Sequence, residues 1–192
     1  MRYRLKLGAG ALAVLSVLTI GCGKKGSSDA TDVGKTLNAG LQAHAAHHLS
    51  EAVTAYQTVL KADKTNKFAL YNLGLIAQDS GHSDEAESRY QMTLDVDPKY
   101  EPAIYNLAVL RSDKGDLAGA ITLYRRALAV NPNDANSHLN LGLLLKRNND
   151  TAGGDAEIQT AIALNPKLRP APAPLAAPGS TTSNAATGAE SH

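Results

Sequence analysis

The chain has 192 residues and a formal net charge of +1, which gives no broad basic surface and so no electrostatic reason to expect nucleic acid as a partner. Aromatic residues are only 4% of the chain, with no Trp and one Phe, while Ala, Leu and Gly are abundant; this disfavours a β-sandwich and favours closely packed helices, an all-α protein. The single cysteine, Cys22, excludes an intramolecular disulfide and leaves stability to packing.

In chain order, Arg2, Arg4 and Lys6 precede an uncharged, mostly apolar run from Leu7 to Ile20. The run is shorter than the roughly 20 residues a helix needs to cross a bilayer, and a basic start before a short apolar stretch is the profile of a signal peptide, residues 1–21. It closes as Leu18-Thr19-Ile20-Gly21-Cys22, which resembles a lipobox, with Thr19 standing where most lipoboxes have Leu. The resemblance implies lipidation at Cys22 and an extracytoplasmic protein, lipid-anchored to a bacterial membrane, either the cell membrane or an outer membrane. An uncleaved anchor is the alternative. Residues 22–33 then read as the lipidated Cys and a flexible tether, because Gly23-Lys24-Lys25-Gly26-Ser27-Ser28 has nothing to bury. Lys24 and Lys25 would each add about 1 kcal/mol of attraction to anionic headgroups.

The next segment repeats itself. Pro98, Pro132 and Pro166 are spaced by 34 residues, and the same interval links Ala52, Ala86, Ala120 and Gly154. It also links Tyr56, Tyr90, Tyr124 and Ile158, and Gly40, Gly74, Ala108 and Gly142. The fixed period predicts stacked units over 34–166, about 33–66, 67–100, 101–134 and 135–168. Within a unit, Leu70, Leu73, Gly74 and Ala77 recur at three and four residues and share one helical face, with small residues where a neighbouring helix approaches closely. Gly81 and Gly115 mark turns inside the units, Ser83 and Asp116 are expected N-caps, and the prolines end each second helix. Residues 169–192, rich in Pro, Ala, Ser and Thr, read as a disordered tail. No amphipathic helix follows Pro166 to cover the last unit, so self-association through an uncapped C-terminal helix is expected as one way of covering it.

These columns, with the Asn-Leu-Gly/Ala triplets at 72–74, 106–108 and 140–142, resemble the tetratricopeptide repeat family. The first unit departs from it with Lys64 in place of the proline, and the family's Trp position holds Thr36, Leu70, Ile104 and His138. The resemblance implies an α-solenoid of about four antiparallel helix hairpins whose first helices line a concave groove that takes a protein or peptide partner.

Carried onto this chain, the groove column is Asn38, Asn72, Asn106 and Asn140, beside Leu37, Tyr71, Tyr105 and Leu139. A ladder of amides offers donors and acceptors to the backbone of an extended peptide; alternatively it satisfies the adjacent helices. The family's carboxylate clamp is not matched, since Leu37, Leu41, Pro102 and Asn106 stand at its positions. His44, His47 and His48 are the residues of a competing reading, a small-ligand or metal-binding surface lipoprotein, although no Cys, Glu or Asp is placed to complete a metal site. No phosphate loop, nucleophile elbow or His-Glu metalloprotease motif is present, so neither an enzyme nor a cofactor is expected. The expected role is a scaffold for assembling an envelope complex.

Overall fold

The computed structural model describes residues 27–169. Cys22, the expected signal peptide 1–21 and the expected tail from residue 170 to 192 lie outside the described residues. Eight helices follow in order: α1 (Ser27–Ala45), α2 (Leu49–Ala62), α3 (Lys67–Asp79), α4 (Ser83–Val96), α5 (Glu101–Asp113), α6 (Leu117–Val130), α7 (Ala135–Arg147) and α8 (Thr151–Leu164). A single 3-10 turn, Pro166–Leu168, closes the described chain. No strand occurs among the described residues. The helices pair as hairpins, α1 with α2 through to α7 with α8, and each hairpin packs on the next. α1 begins inside the stretch expected to be tether. Val33, Leu37 and Leu41 pack against the core of the first hairpin, and a helix so anchored extends backwards at little cost.

The repeated columns explain how the hairpins nest. Tyr56, Tyr90 and Tyr124 are fully buried, as are Ala52, Ala86 and Ala120. The rings of Tyr56 and Tyr90 lie on the first helix of their own hairpins where that helix has glycine: a Cβ placed on Gly74 would come within 2.6 Å of Tyr90 Cε1, and one on Gly40 within 2.8 Å of Tyr56 Cε1. Between hairpins the contact is aliphatic and aromatic. Tyr71, Ala86, Tyr90 and Leu94 of the second meet Ala103, Ile104 and Leu107 of the third.

The hairpin turns use one conformation four times. His47, Gly81, Gly115 and Asn149, spaced by 34 residues, have φ of 60°, 79°, 83° and 65°. Glycine adopts this left-handed region freely, whereas asparagine and histidine enter it at some cost. Asp116 caps α6 by accepting from the Gly119 amide at 2.9 Å, and Asp150 caps α8 through the Gly153 amide in the same way. Ser83, expected to cap α4, is instead its first helical residue; the cap position is His82, whose side chain makes no capping bond. Each second helix stops at an extended residue, Asp63, Asp97, Asn131 or Asn165, whose Oδ1 accepts the amide two residues on. That side-chain turn works in the first hairpin too, where Lys64 replaces proline.

Both ends of the stack are polar. Where α3 turns Ala69, Leu73 and Ile76 onto the preceding hairpin, α1 has Lys35, Ala39 and Gln42, all exposed. In the column Val53, Glu87, Ile121 and Asp155, the α8 residue pairs with Lys146 at 2.6 Å. His138, at a position filled by Leu70 and Ile104 in the two preceding hairpins, meets Glu157 at 2.6 Å. The fourth hairpin carries polar side chains at those positions, Leu164 is the large apolar side chain that α8 leaves exposed, and no further α-helix follows α8 among the described residues.

Candidate functional site

The asparagine column does not form an open ladder. Asn106 Nδ2 donates to Tyr71 Oη at 3.0 Å, and Asn140 Nδ2 donates to Tyr105 Oη at 2.9 Å and to Tyr124 Oη at 3.1 Å. Each bond joins one hairpin to the next, so α3, α5 and α7 lie side by side along one face. Asn72 would find Leu37 where the later units have tyrosine, and it donates instead to the Phe68 carbonyl at 2.7 Å. Asn72, Asn106 and Asn140 are 4%, 6% and 2% exposed, and Tyr71 and Tyr105 are also buried. The bonds of Asn106 and Asn140 tie one repeat to the next, that of Asn72 stays within α3, and all three amides are engaged inside the protein. Of the column, Asn38 is exposed; Leu37 and Leu139 are half-buried.

The same bonding leaves one mismatch. Tyr90 Oη donates to Gln78 at 2.6 Å and Tyr124 Oη accepts from Asn140, but Tyr56 Oη is buried with no hydrogen-bond partner among the described residues. Burial pushes the Tyr56 phenol up to about 12 and raises those of Tyr71, Tyr90 and Tyr124 further.

What this face does expose is aromatic and acidic. Phe68 and Tyr100 are half-buried and meet edge to face at 6.1 Å, with Tyr71 edge-on to Tyr100 at 5.2 Å. Lys67 Nζ stands 5.3 Å from the centroids of both Phe68 and Tyr100 and pairs with Asp97 at 2.7 Å, which holds the Asp97 carboxyl below its ordinary range. Glu101, next in the chain, is half-buried and makes no ion pair among the described residues. Burial raises its pKa, with the Asp134 carboxylate adding to the effect. Asp113 is raised by desolvation against the opposing pull of Arg147. Phe68, Tyr100 and Glu101 were not singled out in the sequence, because their columns read Gly34, Phe68, Pro102 and Asn136, then Asn66, Tyr100 and Asp134, and a column without a constant residue type carries no periodic signal.

The histidines separate. His44 stacks edge-on to Tyr56 at 6.4 Å, His47 occupies the left-handed turn, and His48 is the residue before α2, with Glu51 at 3.8 Å. No group of three His, Cys, Asp or Glu is placed to hold a metal among the described residues. On the even-helix side a depression of about 460 Å³ is lined by Asp84, Glu87, Ser88, Gln91, Met92 and Arg111. Its acids are already paired: Lys114 Nζ lies 2.7 Å from Asp84 and 2.6 Å from Glu87, which also meets Arg111. Lys146, at the far end of the odd-helix face, is likewise engaged by Asp155.

Comparison with known proteins places this geometry. Residues 69–101 match a family model described as tetratricopeptide repeat, and residues 110–149 one described as TPR repeat. Among solved structures, a crystal structure of MamA is 18% identical with a TM-score of 0.65, the match covering 73% of this chain and 82% of that one. MamA from Desulfovibrio magneticus RS-1 is 19% identical at a TM-score of 0.62, over 71% of this chain and 77% of that one. A tetratricopeptide repeat protein from Parabacteroides merdae is 20% identical at a TM-score of 0.64, over 71% of this chain and 55% of that one. No curated protein matches. At these identities the likeness is one of fold.

Proposed function

Because the chain is a tetratricopeptide repeat protein, a fold that serves as a generally non-catalytic scaffold for protein partners, we propose that it is a lipid-anchored adaptor holding a protein or peptide at the extracytoplasmic face of a bacterial membrane during assembly of an envelope complex. The observation that carries the binding part is the odd-helix face, where Phe68 and Tyr100 are partly exposed beside Glu101, a carboxylate that makes no ion pair among the described residues. The anchoring part rests on Arg2, Arg4, Lys6, the apolar run and the lipobox-like sequence ending at Cys22. Such an arrangement keeps the scaffold near the bilayer while leaving its binding face free.

Two measurements test the two parts separately. A photo-crosslinking residue in place of Phe68 should capture a discrete partner in native membranes, and one in place of Thr122, on the exposed side of α6, should not; equal capture from both places the partner elsewhere. Cys22→Ser should abolish incorporation of labelled palmitate and release the protein from the membrane fraction; retained label would refute the anchor.

A further inference from the structure

The charge on the odd-helix face is one-sided. Asp79 and Asp113 end α3 and α5 at equivalent positions, both exposed, and Glu101 and Asp134 stand at and just before the starts of α5 and α7. Of the cations on these helices, Lys67 is engaged by Asp97, Lys146 by Asp155, and Arg111 by Glu87 and Asp116. Arg147 acts electrostatically on Asp113. Asp79 and Glu101 thus make no ion pair among the described residues, and Glu101 adjoins the half-buried Tyr100 ring.

Glu101 is the sharpest case. A carboxylate that is half-buried beside a second carboxylate destabilises the fold unless a cation joins it. Asp134 cannot relieve it, since its oxygens already accept the amides of Asn136 and Ser137 at the start of α7. The neighbouring rings show what this surface does with a cation. Lys67 Nζ lies over Phe68 and Tyr100 and is closed off by Asp97, so rings and carboxylate act together on an ammonium group. Glu101 adjoins the same Tyr100 and acts electrostatically on both Tyr71 and Tyr100, without such a cation.

We infer that the partner on this face is an extended peptide carrying lysine or arginine, with one cationic side chain seated against Glu101 beside Tyr100 and a further basic residue reaching Asp113 or Asp79. The inference rests on the peptide-binding reading above and adds the chemistry of the ligand. Aromatic rings supply contact along the aliphatic stem of the incoming side chain, and the carboxylates choose its charge. The buried asparagines set the spacing of the subsites without touching the peptide.

The test uses the full chain in detergent and dye-labelled peptides of one extended Ala/Ser/Pro scaffold, carrying lysine, glutamine or glutamate at the same positions, read by fluorescence anisotropy. The lysine peptide should bind at least about tenfold more tightly than the glutamine one, as loss of one charge-assisted contact implies, and added salt should weaken it. Glu101→Gln should lose about the same factor for the lysine peptide while its helical circular dichroism is kept and its thermal midpoint holds or rises. Equal binding of the glutamine or glutamate peptide, or unchanged binding of the lysine peptide by Glu101→Gln, overturns the basic-ligand inference. In that case binding that Phe68→Ala still abolishes leaves the peptide-binding reading standing. Failure of every peptide to bind overturns both.

Discussion

Replacing Tyr71 by Phe removes one oxygen from the centre of the stack. That oxygen accepts Asn106 Nδ2 at 3.0 Å, and Asn106 is 6% exposed, so its amide cannot turn to water without opening the junction of the second and third hairpins. A buried donor left without an acceptor costs about 1–3 kcal/mol, and for a folded unit of this size each kcal/mol lowers the melting midpoint by about 2–4 °C. Tyr56→Phe deletes a hydroxyl of the other tyrosine column, on the second helix of the first hairpin, where it is buried with no partner among the described residues. Its removal should be neutral or stabilising by up to about 1 kcal/mol. The comparison is made by urea denaturation followed by circular dichroism, with the two variants and the wild type at matched concentration. Adding Asn106→Leu to Tyr71→Phe should recover part of the loss, because a junction with neither polar partner leaves nothing unpaired. Equal losses from Tyr56→Phe and Tyr71→Phe would refute the assignment of the Asn-to-Tyr bonds as the staple between hairpins.

Gly74→Ala should cost about 1–3 kcal/mol by denaturant midpoint, since the new methyl group would meet the fully buried Tyr90 ring, while Gly34→Ala, with nothing within 4 Å, should not destabilise. His47→Gly should raise the thermal midpoint by relieving roughly 1 kcal/mol of left-handed strain, with a smaller gain from Asn149→Gly, whereas Gly81→Ala should lower it. Glu101 has its folded-state pKa raised, so its penalty is complete above that pKa and fades as the pH falls towards the unfolded value of about 4.3. Glu101→Gln should therefore stabilise the protein near neutral pH by about 0.5 kcal/mol and lose that advantage at about pH 4; a gain independent of pH would refute the electrostatic cause.

The architecture was legible because it is written in a one-dimensional period. Ala52, Ala86 and Ala120, the tyrosines four residues beyond each, and the glycines at 40, 74 and 142 recur at fixed intervals, and small residues at helical spacing already imply nested hairpins. Turns at Gly81 and Gly115 and the cap at Asp116 are likewise local properties of short segments. His47 and Asn149 share the glycine conformation because the period of the stack imposes it. The polar N-terminal end became visible only when Lys35 and Gln42 could be set against Ala69, Ala103, Ile76 and Leu110, the buried residues at the same positions in the middle hairpins.

The site divided differently. The sequence supplied a column of four asparagines and the face on which it lies, but whether an amide there meets a ligand or the hairpin beside it depends on how far one hairpin is rotated and shifted against the next. That displacement brings Tyr71 Oη within 3.0 Å of Asn106 and Tyr105 Oη within 2.9 Å of Asn140, closing the column from inside. It also leaves Phe68, Tyr100 and Glu101 together at the surface, although they belong to columns with no constant residue type. Period and hairpin follow from side-chain size and helix geometry along the chain; which polar groups are used up and which remain available follows from distances between residues about 35 positions apart, and those distances exist only once the stack has formed.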